Sequence, residues 1–270
     1  MGSVIARLRG LLTFVCVLAI IAIPLWFAAA GFGARFGLWD WRFGLEVMVG
    51  EIGPLALVGA TCLAALTLVV NAVSQFMKDV PRSAGGFLAG SVLLLIGGVG
   101  GYQLHTFNTH TGRLPAIHDI TTDPDNPPQF TASLIVRRGA EANSVEYDGK
   151  ADPVTGRPLA EVQAEAYPDI QPIVLETDPD TAYRTALRIA REKGWTVSTA
   201  SASQLSFEAT ATTFWFGFRD DVVVRITPLA DGGAVVDARS VSRELDADRG
   251  ANAARLRRFE ARLRAATGEA

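Results

Sequence analysis

The sequence predicts a membrane α-helical anchor with three transmembrane helices, followed by an α+β domain in which two helices pack on one face of an antiparallel sheet. Three features indicate this fold class. The first 104 residues contain three long apolar runs. The second half alternates apolar and polar residues over several short segments, and a helical pattern stands before and after them. The composition, 49% hydrophobic with a mean hydropathy of +0.23, is typical of a membrane protein.

The anchor, residues 1–104, is predicted from apolar runs of about 20 residues, the length that crosses a bilayer as a helix. These runs cover residues 10–30, 54–76 and 85–104. A cleavable signal peptide is the alternative for the first run, because Arg7 and Arg9 precede it and the alanines at 28–30 resemble a cleavage site. The third run is short and rich in glycine, which would let another helix approach closely.

Basic residues beside the runs predict the orientation of the anchor. Arg7 and Arg9 precede the first run, and Lys78 and Arg82 lie between the second and the third. Since cytoplasmic loops carry an excess of Lys and Arg, we expect a cytoplasmic N-terminus and a periplasmic C-terminal domain on a bacterial inner membrane. No acidic or basic residue lies inside a run, which argues against an ion pump or a proton relay.

The loop between the first two runs, residues 31–53, contains aromatic residues of the kind that collect in the headgroup region. They are Phe32, Phe36, Trp39, Trp41 and Phe43. We expect this loop to be an interfacial anchor, and a quinone or lipid site is the alternative.

Residues 105–172 are predicted to form a proline-rich, acidic arm. Eight prolines in this stretch leave little room for regular helices, and one short helix or turn is expected near residues 131–141. Residues 105–180 carry 13 acidic and 5 basic side chains. His118, Asp119 and Asp123 could contribute metal ligands, but turn formation and capping explain such residues more simply, so no metal site and no cofactor is predicted.

Residues 173–270 are predicted to be the α+β domain. Its first helix begins after Asp178, a good N-cap that a proline follows, and it ends at Gly194. Strands are expected where residues alternate between two faces. These sets are Trp195, Val197 and Thr199, then Leu205, Phe207 and Ala209, then Phe214, Phe216 and Phe218. A helix, several antiparallel strands and a second helix, in that order, resemble the helix-grip arrangement.

A predicted hairpin, residues 220–243, carries the candidate site. Asp231, Gly232 and Gly233 provide its tight turn. Alternation places one set of charged side chains on the same face of both strands. That set is Asp221, Arg225, Asp237, Arg239 and Arg243. The opposite face carries Val222, Val224, Ile226, Ser240 and Ser242.

The charged face allows two interpretations. The first is a ladder of cross-strand salt bridges under the arm, where each opposed pair contributes about 0.2–1 kcal/mol. The second is a site for an anion or a partner, because Arg239 and Arg243 present planar forks that suit phosphate or carboxylate. Asn252, which could cap or donate, and Arg255 complete this candidate set.

The final helix is predicted from about residue 251 to residue 266. Its buried stripe is expected to be Leu256, Phe259, Leu263 and Ala266. Arg255, Arg258 and Arg262 are expected on its solvent-exposed flank.

Residues 115–263 resemble a bacterial and plastid family, the proteins with the domain of unknown function 1499. The resemblance rests on several motifs taken together. They are IHDITTD at 117–123, NPP at 126–128, YPDI at 167–170, GW at 194–195, FRDDV at 218–222 with Arg225, DARSVSR at 237–243, and Asp248, Gly250, Asn252 and Arg255. Glu244 and Arg249 depart from the family pattern, which weighs against an anion site in this segment. The resemblance implies no activity, and some members carry membrane spans before the domain.

The sequence thus predicts a membrane-anchored protein of the cell envelope with a non-catalytic binding or scaffold role for a protein partner or lipid headgroups. The alternative is a hydrolase or another enzyme that acts on an envelope lipid or ester. No GxSxG elbow, zinc-ligand set or phosphate-binding glycine loop is present. Asp220 and Asp221 are adjacent in a strand and would point to opposite faces. The net charge of −3 gives no indication of a nucleic-acid partner.

Overall fold

The computed structural model describes residues 2–147 and 149–269, which form two compact units. The first unit ends at His110 and includes Trp215–Gly217, and the second starts at Thr111. The first contains helices that are long and apolar enough to cross a membrane, and the second contains an antiparallel sheet with helices. The predicted combination of membrane helices and an α+β domain is therefore confirmed.

The first unit is built from helices that extend beyond the predicted runs. They are α1 (Gly2–Arg35), a π-helical segment (Phe43–Ile52) that continues into α2 (Gly53–Ser74), and α3 (Gly85–Thr111). The non-helical connection after α1 is therefore residues 36–40, shorter than the predicted aromatic loop. Gly97 allows α2 and α3 to approach closely, because a Cβ at this position would lie 2.4 Å from Thr61 Oγ1.

The second unit is organised around a sheet with the strand order β1-β6-β5-β4-β3, and β2 also pairs with β6. The strands are β1 (Asp119–Thr121), β2 (Ile173–Leu175), β3 (Thr196–Ser201), β4 (Ser206–Thr212), β5 (Arg219–Pro228) and β6 (Ala234–Ser242). All these pairings are antiparallel. The β5–β6 hairpin turns where predicted, at Gly232 with a φ of 92°, and Asp231 Oδ1 accepts a hydrogen bond from Gly233 N at 3.1 Å.

Two long helices, α6 (Pro179–Glu192) and α7 (Ala251–Thr267), pack on one face of this sheet. Asp178 caps α6 as predicted, since its Oδ1 accepts a hydrogen bond from Thr181 N at 3.0 Å. The apolar side chains of both helices and of the even-numbered positions of β5 form the main core of the domain. Its members include Tyr183, Leu187, Val222, Val224, Ile226, Leu256, Phe259 and Leu263.

The stretch predicted as an extended arm is more regular than expected. Its first residues belong to α3, and a short helix, α4 (Ala132–Arg138), lies near the expected position. A second helix, α5 (Leu159–Ala166), begins directly after Pro158, where a proline costs no helical hydrogen bond. Phe130 and Leu134 cover the sheet face opposite α6 and α7, where they pack with Val223 and Val241.

The predicted strand with Phe214, Phe216 and Phe218 is wrong. The structure ends β4 at Thr212 and begins β5 at Arg219. The residues between them form a turn that is closed by a hydrogen bond from Thr213 N to Phe218 O at 2.8 Å. The alternation of aromatic residues therefore reflects a turn sequence and not a pleated strand.

The predicted faces of α7 require two corrections. Arg258 and Arg262 are exposed as expected, but Arg255 is buried and Ala266 is exposed. Arg255 is turned inward because Asp220 on the helix-facing side of β5 supplies a buried counterion.

Candidate functional site

The seven candidate residues of the site fall into two networks on opposite faces of the β5–β6 hairpin. The register pairs Arg225 with Asp237 and Val223 with Arg239. The five charged hairpin residues therefore share the face away from α6 and α7. Asn252 and Arg255 belong to α7 and lie on the other face, so the seven residues do not form a single site.

Arg239 is the centre of the network on the charged face, which points away from α6 and α7. Its side chain is 0% exposed. Its Nε and Nη2 atoms donate to the two oxygens of Asp119 at 2.9 and 2.8 Å. Lys150 Nζ lies 2.9 Å from the same carboxylate, and Arg239 Nη2 also donates to the Val145 carbonyl at 2.5 Å. The planar fork of Arg239 is therefore matched by a carboxylate of its own chain.

Asp221 is the second buried carboxylate of this face, and two arginines pair with it. Arg243 donates through Nε and Nη2 to its two oxygens, each at 2.7 Å, and Arg138 from α4 also donates to it. The Thr210 hydroxyl donates to Oδ1 at 2.7 Å. Burial acts to raise the pKa of Asp221, but the hydrogen bonds from Arg243 and Thr210 and the charge of Arg138 lower this pKa below its ordinary value.

Arg225 is the partly exposed arginine of the charged face, at 28% side-chain exposure. Its Nη2 atom donates to Asp237 at 2.9 Å and to Asp123 at 3.1 Å. Its Nε atom is buried and has no hydrogen-bond partner among residues 2–147 and 149–269. Burial raises the pKa of Asp237, although the hydrogen bond from Arg225 opposes this change.

A cleft of about 210 Å³ lies beside Arg225, between residues 128–131 and the strands β3, β4 and β5. Polar side chains from both sides line it, including Gln129, Gln204 and Glu208. Glu208 is only 3% exposed, and its oxygens accept hydrogen bonds from the backbone N–H of Thr131 at 2.5 Å and from its hydroxyl at 2.8 Å. The cleft is the open part of the charged face.

The second network joins α7 to the helix-facing side of the hairpin. Arg255 pairs with Asp220 and donates to Ser240 Oγ at 3.0 Å. Asn252 accepts a hydrogen bond from Ser240 Oγ at 2.7 Å and donates to Ser242 Oγ at 3.0 Å. All five side chains are buried, so this network fixes α7 on the sheet and offers little surface to a ligand.

Asp248 holds the start of α7. Its two oxygens accept hydrogen bonds from Gly250 N at 2.8 Å and from Asn252 N at 2.7 Å. Burial raises the pKa of Asp248 to about 6, against the effect of these two hydrogen bonds. The carboxyl group therefore changes its charge close to neutral pH.

The three arm residues considered as metal ligands have other partners. Asp119 pairs with Arg239, Asp123 pairs with Arg225, and His118 Nδ1 lies 3.0 Å from the carbonyl of Asp246. Burial lowers the pKa of His118. Within the part of the chain that the structure describes, no group of three or more His, Cys, Asp or Glu residues is placed to hold a metal ion.

Several contributors to the charged face were not found from the sequence, among them Arg138 and Glu208. Arg138 ends the short helix α4, and its partner Asp221 is 83 positions away in the chain. Glu208 alternates with the core residues Phe207 and Ala209 in β4, but no local pattern indicates that residues 128–131 cover it. Contacts of such long range leave no signal in the periodicity of a single segment.

The matches to known proteins agree with the motifs. A family model described as protein of unknown function (DUF1499) matches residues 119–263, which is more than half of the chain. No curated protein matches the chain. The matched segment contains both networks and the cleft, and the chain therefore belongs to the DUF1499 family.

Proposed function

We propose that this protein is a membrane-anchored component of the cell envelope whose C-terminal domain binds a protein partner without catalysing a reaction. The pairing of Arg239 and Arg243 with carboxylates of the same chain carries this proposal. An arginine fork that already holds a carboxylate has few donors left for the phosphate of a ligand. Breaking either pair would leave a buried charge, so the charged face suits a rigid platform better than an anion site.

A protein partner is favoured over a lipid headgroup by the charge around the cleft. Arg225 is paired with two carboxylates, those of Asp123 and Asp237, and the carboxylate of Glu208 lines the same cleft without forming an ion pair with Arg225. An excess of negative charge disfavours a phosphate group. Gln129 and Gln204 also line the cleft and offer amide groups that can pair with peptide groups.

The hydrolase alternative receives less support from the geometry. Asp220 pairs with Arg255 on one face of β5, and Asp221 pairs with Arg138 and Arg243 on the other. The two carboxylates therefore do not share a proton or a substrate. A dyad for general acid–base catalysis would need both of them within reach of the same reacting group.

We further propose that the domain lies in the periplasm and that the anchor is a multi-pass segment of a bacterial inner membrane with a cytoplasmic N-terminus. Arg7 and Arg9 before the first span, with Lys78 and Arg82 after the second, support this orientation. A reporter that is active only in the cytoplasm, fused after Ala270, is expected to be inactive. Full reporter activity would contradict the proposed orientation.

Photocrosslinking in living cells tests the binding role. A photoreactive amino acid replaces Gln204, an exposed residue at the rim of the cleft, in the full-length chain. We expect irradiation to give a discrete adduct with a protein. The matched control carries the same group at Arg191, which is exposed on α6, and should give no such adduct.

Two outcomes would contradict this proposal. Equal adducts from Gln204 and Arg191, or no protein adduct from Gln204, would mean that the cleft is not a docking site. An adduct with lipid alone would favour the lipid-headgroup interpretation over a protein partner.

A further inference from the structure

Strand β3 forms an open edge of the sheet. It lies at the end of the strand order, where it pairs with β4 alone among the described strands. Its sequence, TVSTAS, contains no charged residue and no proline, and its side chains are exposed and half-buried in alternation. Natural edge strands usually carry lysine, proline or a strong irregularity that prevents pairing with another chain. The β3 edge has one irregularity, a register shift between Val197 and Thr199, and it has neither a lysine nor a proline. From Thr199 to Ser201, beside the cleft, β3 pairs regularly with β4.

The opposite edge of the sheet is protected in a different way. There, β6 is covered by two short strands, β1 and β2, of three residues each. Very short edge strands offer little backbone to an incoming chain. Among the strands that the structure describes, only β3 therefore presents a six-residue edge to another strand, with one register shift between Val197 and Thr199.

The cleft beside Arg225 opens next to the β3 edge. Thr199 of β3 lies opposite Glu208 of β4 in the register, and both residues line the cleft. Neighbouring strands are about 4.8 Å apart, so a residue added beside Thr199 would lie roughly 10 Å from Glu208 on the same face. A long side chain at that position could extend into the cleft.

The charge of Glu208 indicates which side chain the cleft favours. This carboxylate is 3% exposed, and its hydrogen bonds come from Thr131. No Lys, Arg or His of residues 2–147 and 149–269 forms an ion pair with it, whereas Asp119, Asp220 and Asp221 each have an arginine. A buried carboxylate without a cation is costly, and a basic group from outside the domain would supply the missing charge.

We infer that the β3 edge accepts an extended segment of a protein partner as an additional strand, with a Lys or Arg side chain of that segment directed towards Glu208. This inference rests on the proposed function and specifies the chemistry of the partner. Strand addition combines main-chain hydrogen bonds with a pocket for alternate side chains. A second copy of this chain fits less well, because its own β3 has no basic residue to place near Glu208.

The test uses the full-length chain with the photoreactive group at Gln204 in cells, combined with single substitutions. Ala200→Lys places a charge on the exposed edge, and it does so on the face away from the cleft, because Ala200 lies opposite the core residue Phe207. Glu208→Gln removes the charge and keeps a hydrogen-bond acceptor for Thr131. Ser203→Lys, in the exposed turn after β3, is the matched control for the added lysine.

We expect Ala200→Lys and Glu208→Gln each to lower the adduct yield by about tenfold or more. The first disfavours strand pairing at the edge, and the second removes the charge that attracts the basic side chain. Ser203→Lys should leave the yield unchanged. Protease resistance of each purified variant in detergent controls for folding. Ala200 is exposed, so the edge variant tests the inference even if Glu208→Gln weakens the domain.

The outcomes separate the inference from the proposed function. Mapping the adduct to a partner segment with Lys or Arg at alternate positions would support strand addition. If the adduct of the chain without further substitutions also formed in both Ala200→Lys and Glu208→Gln, strand addition at the β3 edge would be overturned, and the docking role would remain. An adduct with a second copy of this chain would overturn the inference that the partner supplies a basic side chain. If the chain without further substitutions gave no adduct at all, the docking role and the inference would both be overturned.

Discussion

Arg239→Ala is expected to destabilise the C-terminal domain by about 3–5 kcal/mol, the range for removing one partner of a buried ion pair. The substitution leaves the fully buried Asp119 with Lys150 as its remaining cation. It also removes the donors to the carbonyls of Pro128 and Val145 and the stacking of the guanidinium near Phe130 and Tyr147. Residues 119–147 would therefore lose one of their attachments to β6, and the backbone pairing of β1 with β6 would remain.

Urea denaturation of the full-length protein in detergent, followed by protease resistance of the C-terminal domain, measures this effect. Arg258→Ala on the exposed side of α7 is the matched control, and its free energy of unfolding should change by less than about 0.5 kcal/mol. The double substitution Arg239→Met with Asp119→Leu should recover part of the loss, because it removes both fully buried charges of the pair. Lys150 then loses its carboxylate partner, but its side chain is 18% exposed and remains in contact with water.

The result also separates the two interpretations of the charged face. A large loss of stability in Arg239→Ala, with recovery in the double variant, is the behaviour of a structural salt bridge. An unchanged unfolding midpoint would contradict this role and would return Arg239 to the set of residues that could hold an anionic ligand.

The dipeptide Asp220-Asp221 explains why the hairpin register is strongly specified. Because adjacent strand residues point to opposite faces, Asp220 holds Arg255 of α7, while Asp221 holds Arg138 of α4 and Arg243. A slip of one residue would place each carboxylate on the wrong face and would move Val222 and Val224, which follow them, out of the main core. One short sequence therefore fixes α7 on one side of the sheet and residues 131–138 on the other.

The features that the sequence predicted well are those that depend on local periodicity or on capping. The two-residue alternation of β5 and β6 placed Asp221, Arg225 and Arg239 on one face, because the pleat of a strand leaves no other choice. The Asp178 cap and the turn at Gly232 follow from similarly local chemistry. The apolar runs located the membrane helices, although the helices continue into the polar residues on both sides.

The features that it missed depend on partners distant in the chain. The helical periodicity of α7 predicts an exposed Arg255, because it gives no sign of a buried counterion. In the structure Asp220, 35 positions earlier in the chain, is that counterion. The pair of Asp119 and Arg239 joins residues 120 positions apart. Helix α5 is not predicted because a high proline content argues against regular helices, whereas Pro158 stands directly before the first turn of α5, where a helix tolerates it.

Asp248 is expected to make the domain less stable as the pH rises through about 6. Its pKa is about 6 in the folded protein and has an ordinary value of 3.8, so the folded state retains a proton that the unfolded state has lost. The stabilisation from this proton is complete below about pH 4 and is lost above the folded pKa. A difference of about two pKa units corresponds to roughly 3 kcal/mol.

The measurement is the difference in unfolding free energy between the parental protein and Asp248→Asn at several pH values from 4 to 7.5. The comparison with Asp248→Asn is needed because His118 has the opposite effect on the pH dependence of stability. The pKa of His118 is lowered in the folded protein, so its contribution to stability is present above its ordinary pKa and is lost as the pH falls. We expect the parental protein to lose about 3 kcal/mol relative to Asp248→Asn over this range. Asp180→Asn, on the exposed first turn of α6, controls for the removal of a carboxylate elsewhere. A difference between the parental protein and Asp248→Asn that stays constant with pH would show that the buried carboxyl group at the start of α7 does not change its charge near neutrality.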